Sequence, residues 1–265
     1  MLEVRGLSYT INGLRLLDSI DMAIVPGRIT VLIGPNGAGK SILLRLIAGE
    51  LKPTSGEVLL DDRNIKGFSA AELGRRRAVV PQSSVLTFAF TVLEVAMLGV
   101  TVPGFGAATE TTRGAALRAL ESVGMSAAQD QNYMHLSGGE RQRAHIARAL
   151  CQLDAAPAQA GTTRCFLLDE PTSSLDLAHQ SLVLHAVRRQ AQQGRAVLVI
   201  LHDLNLASAL ADDLALLSRG SIVAAGTAEE VLRDATLTAA YGCSVYTNKT
   251  PGDERRFVLP PAVFE

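Results

Sequence analysis

Apolar and polar residues alternate through the first 30 residues, as in Leu2-Glu3-Val4-Arg5 and Ile20-Asp21-Met22-Ala23-Ile24-Val25. A period of two predicts antiparallel strands with one exposed face. Ile29–Ile33 is instead a short, largely apolar run ending at glycine, the pattern of a buried strand. Ser41–Glu50 has helical spacing and ends near Gly49, and Glu57–Asp61 and Ala78–Val80 read as further strands. From about Thr91 to Leu150 the period turns helical, at Thr91–Leu98, Thr112–Val123 and Arg141–Leu150. A soft segment, Val102-Pro103-Gly104-Phe105-Gly106, separates the first two of these, and the stretch as a whole is a candidate second lobe. Ala155–Thr163 is rich in small residues and reads as an exposed loop. Strand signals return at Cys165–Leu168, Ala196–Leu201, Leu214–Leu217 and Ser221–Ala225. Apolar runs alternating with helices imply an α/β fold with a mainly parallel core sheet.

The 265 residues suffice for one α/β domain, or one domain with a small lobe. A formal net charge of −1 gives no global field favouring nucleic acid, and 4% aromatics argue against a base-stacking surface. No apolar run approaches the roughly 18 residues of a membrane helix, and Met1–Arg5 lacks the apolar core of a signal peptide. The chain is therefore expected on the cytoplasmic side. Cys151, Cys165 and Cys243 are too scattered for a zinc site. Arg75-Arg76-Arg77 reads as a solvated helix face.

Several short runs carry chemistry. In Gly34-Pro35-Asn36-Gly37-Ala38-Gly39-Lys40-Ser41, between a predicted strand and a helix, three glycines remove the Cβ atoms that would keep backbone N–H groups from phosphate oxygens. The helix that follows turns its positive end to the same oxygens. Lys40 would reach the β- and γ-phosphates, and the Ser41 hydroxyl is placed to ligate Mg²⁺. Asp169 and Glu170 sit at the carboxyl end of the strand Cys165–Leu168. Such a pair is often only a helix cap. Beside a phosphate loop, Asp169 fits a Mg²⁺ ligand, direct or one shell out, and Glu170 a general base for the attacking water.

Ser137-Gly138-Gly139-Glu140 spells a capping box, which could serve only to start a helix. Yet two glycines in a first turn cost roughly 1 kcal/mol each against alanine. A helix start that tolerates this points to close backbone approach of an anion, and the chain offers it none of its own. Both halves of a phosphate clamp on one chain read as one half of an ATP-driven dimer. Gln82 by itself could be a plain surface residue. His202 gains weight because it follows the strand Ala196–Leu201, at the end where parallel sheets carry their sites.

Together, these runs resemble the ATP-binding cassette family of transporter ATPases, over nearly the whole chain. The resemblance implies a P-loop NTPase core with a mainly parallel sheet, an N-terminal antiparallel β subdomain and a helical signature lobe. Residues 1–90 and 151–240 would form the core, 91–150 the helical subdomain and 241–265 a C-terminal extension. It makes Gly34–Ser41 the Walker A loop, with Ile42 offering its backbone N–H to the phosphates. Gln82 becomes the lobe-linking glutamine near Mg²⁺, Leu136–Glu140 the signature motif and Cys165–Glu170 the Walker B strand. His202 becomes the switch on the γ-phosphate, and Ser174-Leu175-Asp176 the loop that crosses to the opposite subunit. Tyr9, 25 residues before Gly34, matches the aromatic that stacks on adenine; by pattern alone it is a strand residue. One departure is Ile42, where the family usually has threonine.

Glu72–Gln82, Leu86–Val92 and Leu175–Gln180 look like the iron-chelate, cobalamin and haem importers, and the insertion Cys151–Arg164 with the run Leu201–Ala207 most resembles the haemin importer ATPase subunits. The implied function is ATP hydrolysis coupled to haem import across an inner membrane. The implied partners are a second copy, two transmembrane permease subunits and, indirectly, a periplasmic haem-binding protein, but no nucleic acid. The alternatives are a ferric-siderophore or cobalamin importer, or a non-transport cassette acting on DNA or ribosomes. The last usually carries a long coiled-coil insertion or two fused cassettes, and this chain shows neither. Ser83–Phe90, with Val85, Leu86, Phe88 and Phe90, is expected either to meet the membrane partner or to pack between lobes.

Overall fold

The computed structural model of the chain describes residues 1–83, 86–100, 110–156 and 161–249. Val85, Val102–Gly106 and the end of the C-terminal extension, 250–265, lie outside them.

β1 (Leu2–Ile11) and β2 (Leu14–Ile24) pair antiparallel, as their alternation predicts. Asn12 and Gly13 turn the chain between them at φ 51° and 78°, the hand that a two-residue hairpin requires. β3 (Ile29–Ile33) runs through the glycine loop into α1 (Lys40–Ile47). β4 (Ser55–Leu60) and β5 (Arg63–Asn64) precede α2 (Ala70–Arg76) and β6 (Arg77–Val80). The helices α3 (Val92–Met97), α4 (Glu110–Ser122) and α5 (Gly138–Ala155) come next. β7 (Cys165–Asp169), α6 (Leu177–Gln192), β8 (Ala196–Ile200) and α7 (Leu204–Leu210) return the chain to the sheet. A hairpin of β9 (Asp213–Ser218) and β10 (Ser221–Gly226), then α8 (Ala228–Val231) and α9 (Asp234–Tyr241), complete the described elements.

The strands form two sheets. One is antiparallel, in the order β2-β1-β4-β5, and the other runs β10-β9-β3-β8-β7-β6. In the second every pairing is parallel except β10 with β9, which gives the mainly parallel core sheet.

The central strands are buried throughout and mainly apolar, Thr30 and Asp169 apart, because both their faces are covered. Ile29, Val31 and Ile33 of β3 enter a core shared with α3, α4, α5 and α6, while Leu32 enters one shared with α1 and the antiparallel sheet. Phe166 and Leu168 of β7 face the first core, and Cys165 and Leu167 the second. A side chain of this kind buried from water stabilises the fold by roughly 1.5–3 kcal/mol.

α5 is one helix through the whole of Gly138–Ala155. Gln152 near its end donates to the carbonyls of Gly74 at 2.7 Å and Arg77 at 2.9 Å, bonding the helix to the turn that leads into β6.

Two of the three arginines of the run, Arg76 and Arg77, do not form a solvated face. Arg76 donates to Asp61 and, at 3.2 Å, to the Thr163 carbonyl, and its guanidinium stands over the Phe68 ring. Burial pushes Arg77 below the ordinary arginine range, against the opposing charge of Glu50. Arg76 at the end of α2 and Arg77 at the start of β6 are turned inward, an orientation that charge alone does not reveal.

Candidate functional site

The loop from Gly34 to Gly39 leaves β3 at the carboxyl end of the sheet. Gly34, Gly37 and Gly39 have φ of 147°, 77° and 105°, so all three occupy backbone regions that favour glycine. At Gly34 a Cβ would also lie 2.0 Å from the Leu217 carbonyl oxygen, and at Gly39 2.8 Å from Cδ2 of Leu17. Gly37 meets nothing within 4 Å, and its side of the loop is open. Pro35, Asn36 and Ala38 complete the turn, with Ala38 buried at 3% exposure. Lys40 Nζ donates back to the carbonyls of Gly34 at 2.7 Å and Pro35 at 3.0 Å. Burial lowers its pKa, while Glu170 and Asp169 raise it, which places both carboxylates within electrostatic reach of the loop.

Parallel register brings the other residues there. β7 lies between β8 and β6, with Val80 opposite Leu168 and Asp169 opposite Ile200. Extending the first pairing by two residues puts Gln82 beside Glu170, and extending the second by one puts Leu201 on its other side, with His202 one residue beyond. Gln82 Nε2 donates to Oε2 of Glu170 at 2.8 Å, and His202 Nε2 donates to Oε1. Glu170 is buried and has φ 50°, unusual for a residue with a Cβ, and its backbone N–H donates to the Ile200 carbonyl at 3.2 Å. Both carboxylate oxygens are thus directed by side chains from neighbouring strands.

Asp169 is 5% exposed, and its Oδ1 accepts no hydrogen bond. Burial raises its pKa, against a hydrogen bond from Ser41 and the charge of Lys40. A buried acceptor without a donor, next to a hydroxyl at the base of a phosphate loop, fits Mg²⁺. Among the described residues no group of three or more His, Cys, Asp or Glu could hold a metal ion. A cation would therefore share one carboxylate and one hydroxyl with phosphate oxygens, as Mg²⁺ commonly does.

Tyr9 is half-buried on β1 and pairs with Leu17, the residue pressed against Gly39. It therefore stands one strand pair from the end of the phosphate loop. Ile42 packs against the core between α1 and the antiparallel sheet, so the apolar side chain is spent on packing.

The signature residues form a separate place. Ser137 caps α5, its Oγ accepting the Glu140 N–H at 3.3 Å, while Glu140 Oε2 accepts from Ser137 N at 2.8 Å and Oγ at 2.7 Å. These bonds hold Glu140 below the usual carboxylate range. Ser137–Glu140, Arg143, Ser174–Asp176 and His179 line a pocket of about 480 Å³ that includes no residue of the phosphate loop. The two glycines differ in kind. A Cβ on Gly138 would meet open space, whereas on Gly139 it would lie 2.8 Å from the Ser174 carbonyl oxygen. Half of the glycine requirement is thus packing. The pocket also holds Arg143, which donates to the carbonyls of Val123 and Gly124 at 3.0 Å each, and His179. The sequence reading missed both, though each stands three residues after a residue it had named, Glu140 and Asp176.

Phosphate loop, strand-end carboxylates, flanking Gln and His, and a signature helix form the constellation of an ATP-binding cassette. The chain belongs to the ABC transporter family, whose model matches residues 17–173. It is 40% identical over 260 residues to the hemin import ATP-binding protein HmuV of Rhizobium meliloti (strain 1021), covering 98% of each chain. To the protein of the same name from Pseudomonas entomophila (strain L48) it is 45% identical over 251 residues, covering 95% of this chain and 96% of that one. Among solved structures it is similar to a dimeric post-hydrolysis ATP-binding cassette bound to ADP and Pi. The TM-score is 0.74 at 26% identity, over 86% of this chain and 99% of that one.

Proposed function

We propose that this chain is the ATP-hydrolysing, energy-coupling subunit of an importer for haem. The observation that carries hydrolysis is the convergence of Gln82 and His202 on the two oxygens of Glu170. Glu170 acts as general base on the attacking water, Gln82 and His202 hold it in place, and His202 also answers to the γ-phosphate. Lys40 and the loop N–H groups bind the β- and γ-phosphates, the Ile42 N–H among them, and Tyr9 stacks on the base. Mg²⁺ held by Ser41 and Asp169, near Gln82, would neutralise charge developing on the phosphates.

The signature pocket lies apart from the phosphate loop of its own chain. In our reading two copies therefore pair head to tail, with Ser137–Glu140 and Asp176 of one closing on the nucleotide of the other. Residues 91–150 act as the helical subdomain against a core of 1–90 and 151–240, with 241–265 as an extension. Among the described residues no helix is long and apolar enough to cross a membrane. In our reading the chain works as a peripheral subunit on the cytoplasmic face of an inner membrane, under two permease subunits served by a periplasmic haem-binding protein. Haem as cargo is supported by relatives named for hemin import that align with 98% of the chain. The test is transport by the reconstituted complex, with haem, ferric siderophore and cobalamin offered in turn. ATP-dependent uptake of haem alone is expected, and uptake of either other cargo in its place overturns the assignment.

A further inference from the structure

The loop beyond the strand-end carboxylates is held by two adjacent side chains that the chemistry above does not use. Asp176 caps α6, its Oδ1 accepting the His179 backbone N–H at 2.9 Å. The His179 ring bears on the same oxygen, with Nδ1 2.8 Å away. An ionised carboxylate only accepts, so Nδ1 carries the proton, and this holds for the neutral and the protonated ring alike. One residue on, Gln180 Nε2 donates to the Leu175 carbonyl at 3.1 Å. Neighbouring side chains thus secure the carboxylate and the main chain of Ser174–Asp176. The opposite wall is α5, whose Gly139 admits the Ser174 carbonyl to within 2.8 Å of a Cβ position.

Capping explains only part of this. The backbone N–H of His179 satisfies the cap without help from the ring. The side chains of Asp176 and His179 are 66% and 37% exposed, and exposed pairs of this kind add little to stability while ordering both partners. What the ring does achieve is to fix the rotation of the carboxylate at the mouth of the pocket that both residues line.

We propose that His179 is a positioning residue of the composite site: through Nδ1–H it sets the Asp176 carboxylate so that the crossing loop meets the phosphate loop of a second copy in one arrangement. The proposal rests on the head-to-tail reading above.

The test compares His179→Phe, His179→Asn, Asp176→Ala and the double variant Asp176→Ala/His179→Phe in the full chain. Binding of a fluorescent ATP analogue, which reports the phosphate loop of the same chain, should be unchanged in His179→Phe and His179→Asn. Turnover at saturating ATP should fall by up to about 10²-fold in His179→Phe, the scale of effect that a misplaced group produces. His179→Asn keeps a donor near the Nδ1 position and should recover most of the turnover. The double variant should be no slower than Asp176→Ala alone, because the ring acts through that carboxylate. Near-parental turnover in His179→Phe overturns the proposal. So does an Asn variant as slow as the Phe variant, or a double variant in which the two losses multiply. Ser137→Arg separates the two levels of inference. If it is inactive while His179→Phe is normal, only the role of His179 fails, whereas a fully active Ser137→Arg removes the composite site and this proposal with it.

Discussion

The side-chain amide of Gln82 lies 2.8 Å from Oε2 of Glu170, across 88 residues of sequence. Parallel pairing of β6 with β7 delivers it there, as pairing of β7 with β8 delivers His202 to the other oxygen. A carboxylate directed from both sides, on a backbone at φ 50°, is held in one orientation.

Glu170→Gln is expected to bind ATP and to slow hydrolysis by about 10²–10⁴-fold, the range for removal of a general base. Because the nucleotide then persists, the ATP-dependent dimer should accumulate on size-exclusion chromatography. Single-turnover hydrolysis close to the parent rate would remove Glu170 from the role.

Ser137→Arg places a cation and a long side chain where α5 opens onto its pocket. Nucleotide binding to the single chain should persist while turnover is abolished, since the damage faces the other copy. Mixing it with an inactive Lys40→Ala chain rebuilds one intact composite site per mixed dimer. Partial activity in the mixture, absent from either variant alone, is the expected result, and full activity of Ser137→Arg by itself would contradict it.

Leu86 and Phe88 part company in the structure. Leu86 packs against the main core, whereas Phe88 is 69% exposed and lies edge-on to Phe90. Leu86→Ser should therefore destabilise the chain by about 1–3 kcal/mol, read from denaturant unfolding. Phe88→Ser should leave unfolding and basal ATPase unchanged but reduce co-purification with the membrane subunits. Unimpaired co-purification and transport would show that Phe88 is not in the docking surface.

The three cysteines should divide by reactivity. Cys151 and Cys165 are buried, which pushes each thiol up to about 12, while Cys243 is exposed. Only the thiolate attacks, so near pH 8 the native chain should release one equivalent of a disulfide chromophore rapidly and three after denaturation. Rapid release of more than one would place a second thiol at the surface.

What the sequence made legible was local. The alternation of β1 and β2, the phosphate loop and the capping box of Ser137 and Glu140 each lie within a few residues of chain. The inward turn of Arg76 and Arg77 depends on Asp61, Thr163 and Glu50, which no local pattern connects to them. Gln82 and His202 were weak signals alone because their meaning comes from strand order, with β7 between β6 and β8. The pairing of His179 with Asp176 was within reach, since a residue three positions beyond a cap faces back toward it.

Gly138 and Gly139 stand side by side, yet a Cβ added to the first meets nothing and one added to the second strikes the Ser174 carbonyl. Evolutionary constancy at these two positions would accordingly carry two different messages. At 139 it would record a neighbour inside the same molecule, and a chain that had lost all use for nucleotide would still be held to glycine there. At 138 nothing within the fold forbids alanine, so drift at that position would be the earlier trace of a cassette that had gone out of service.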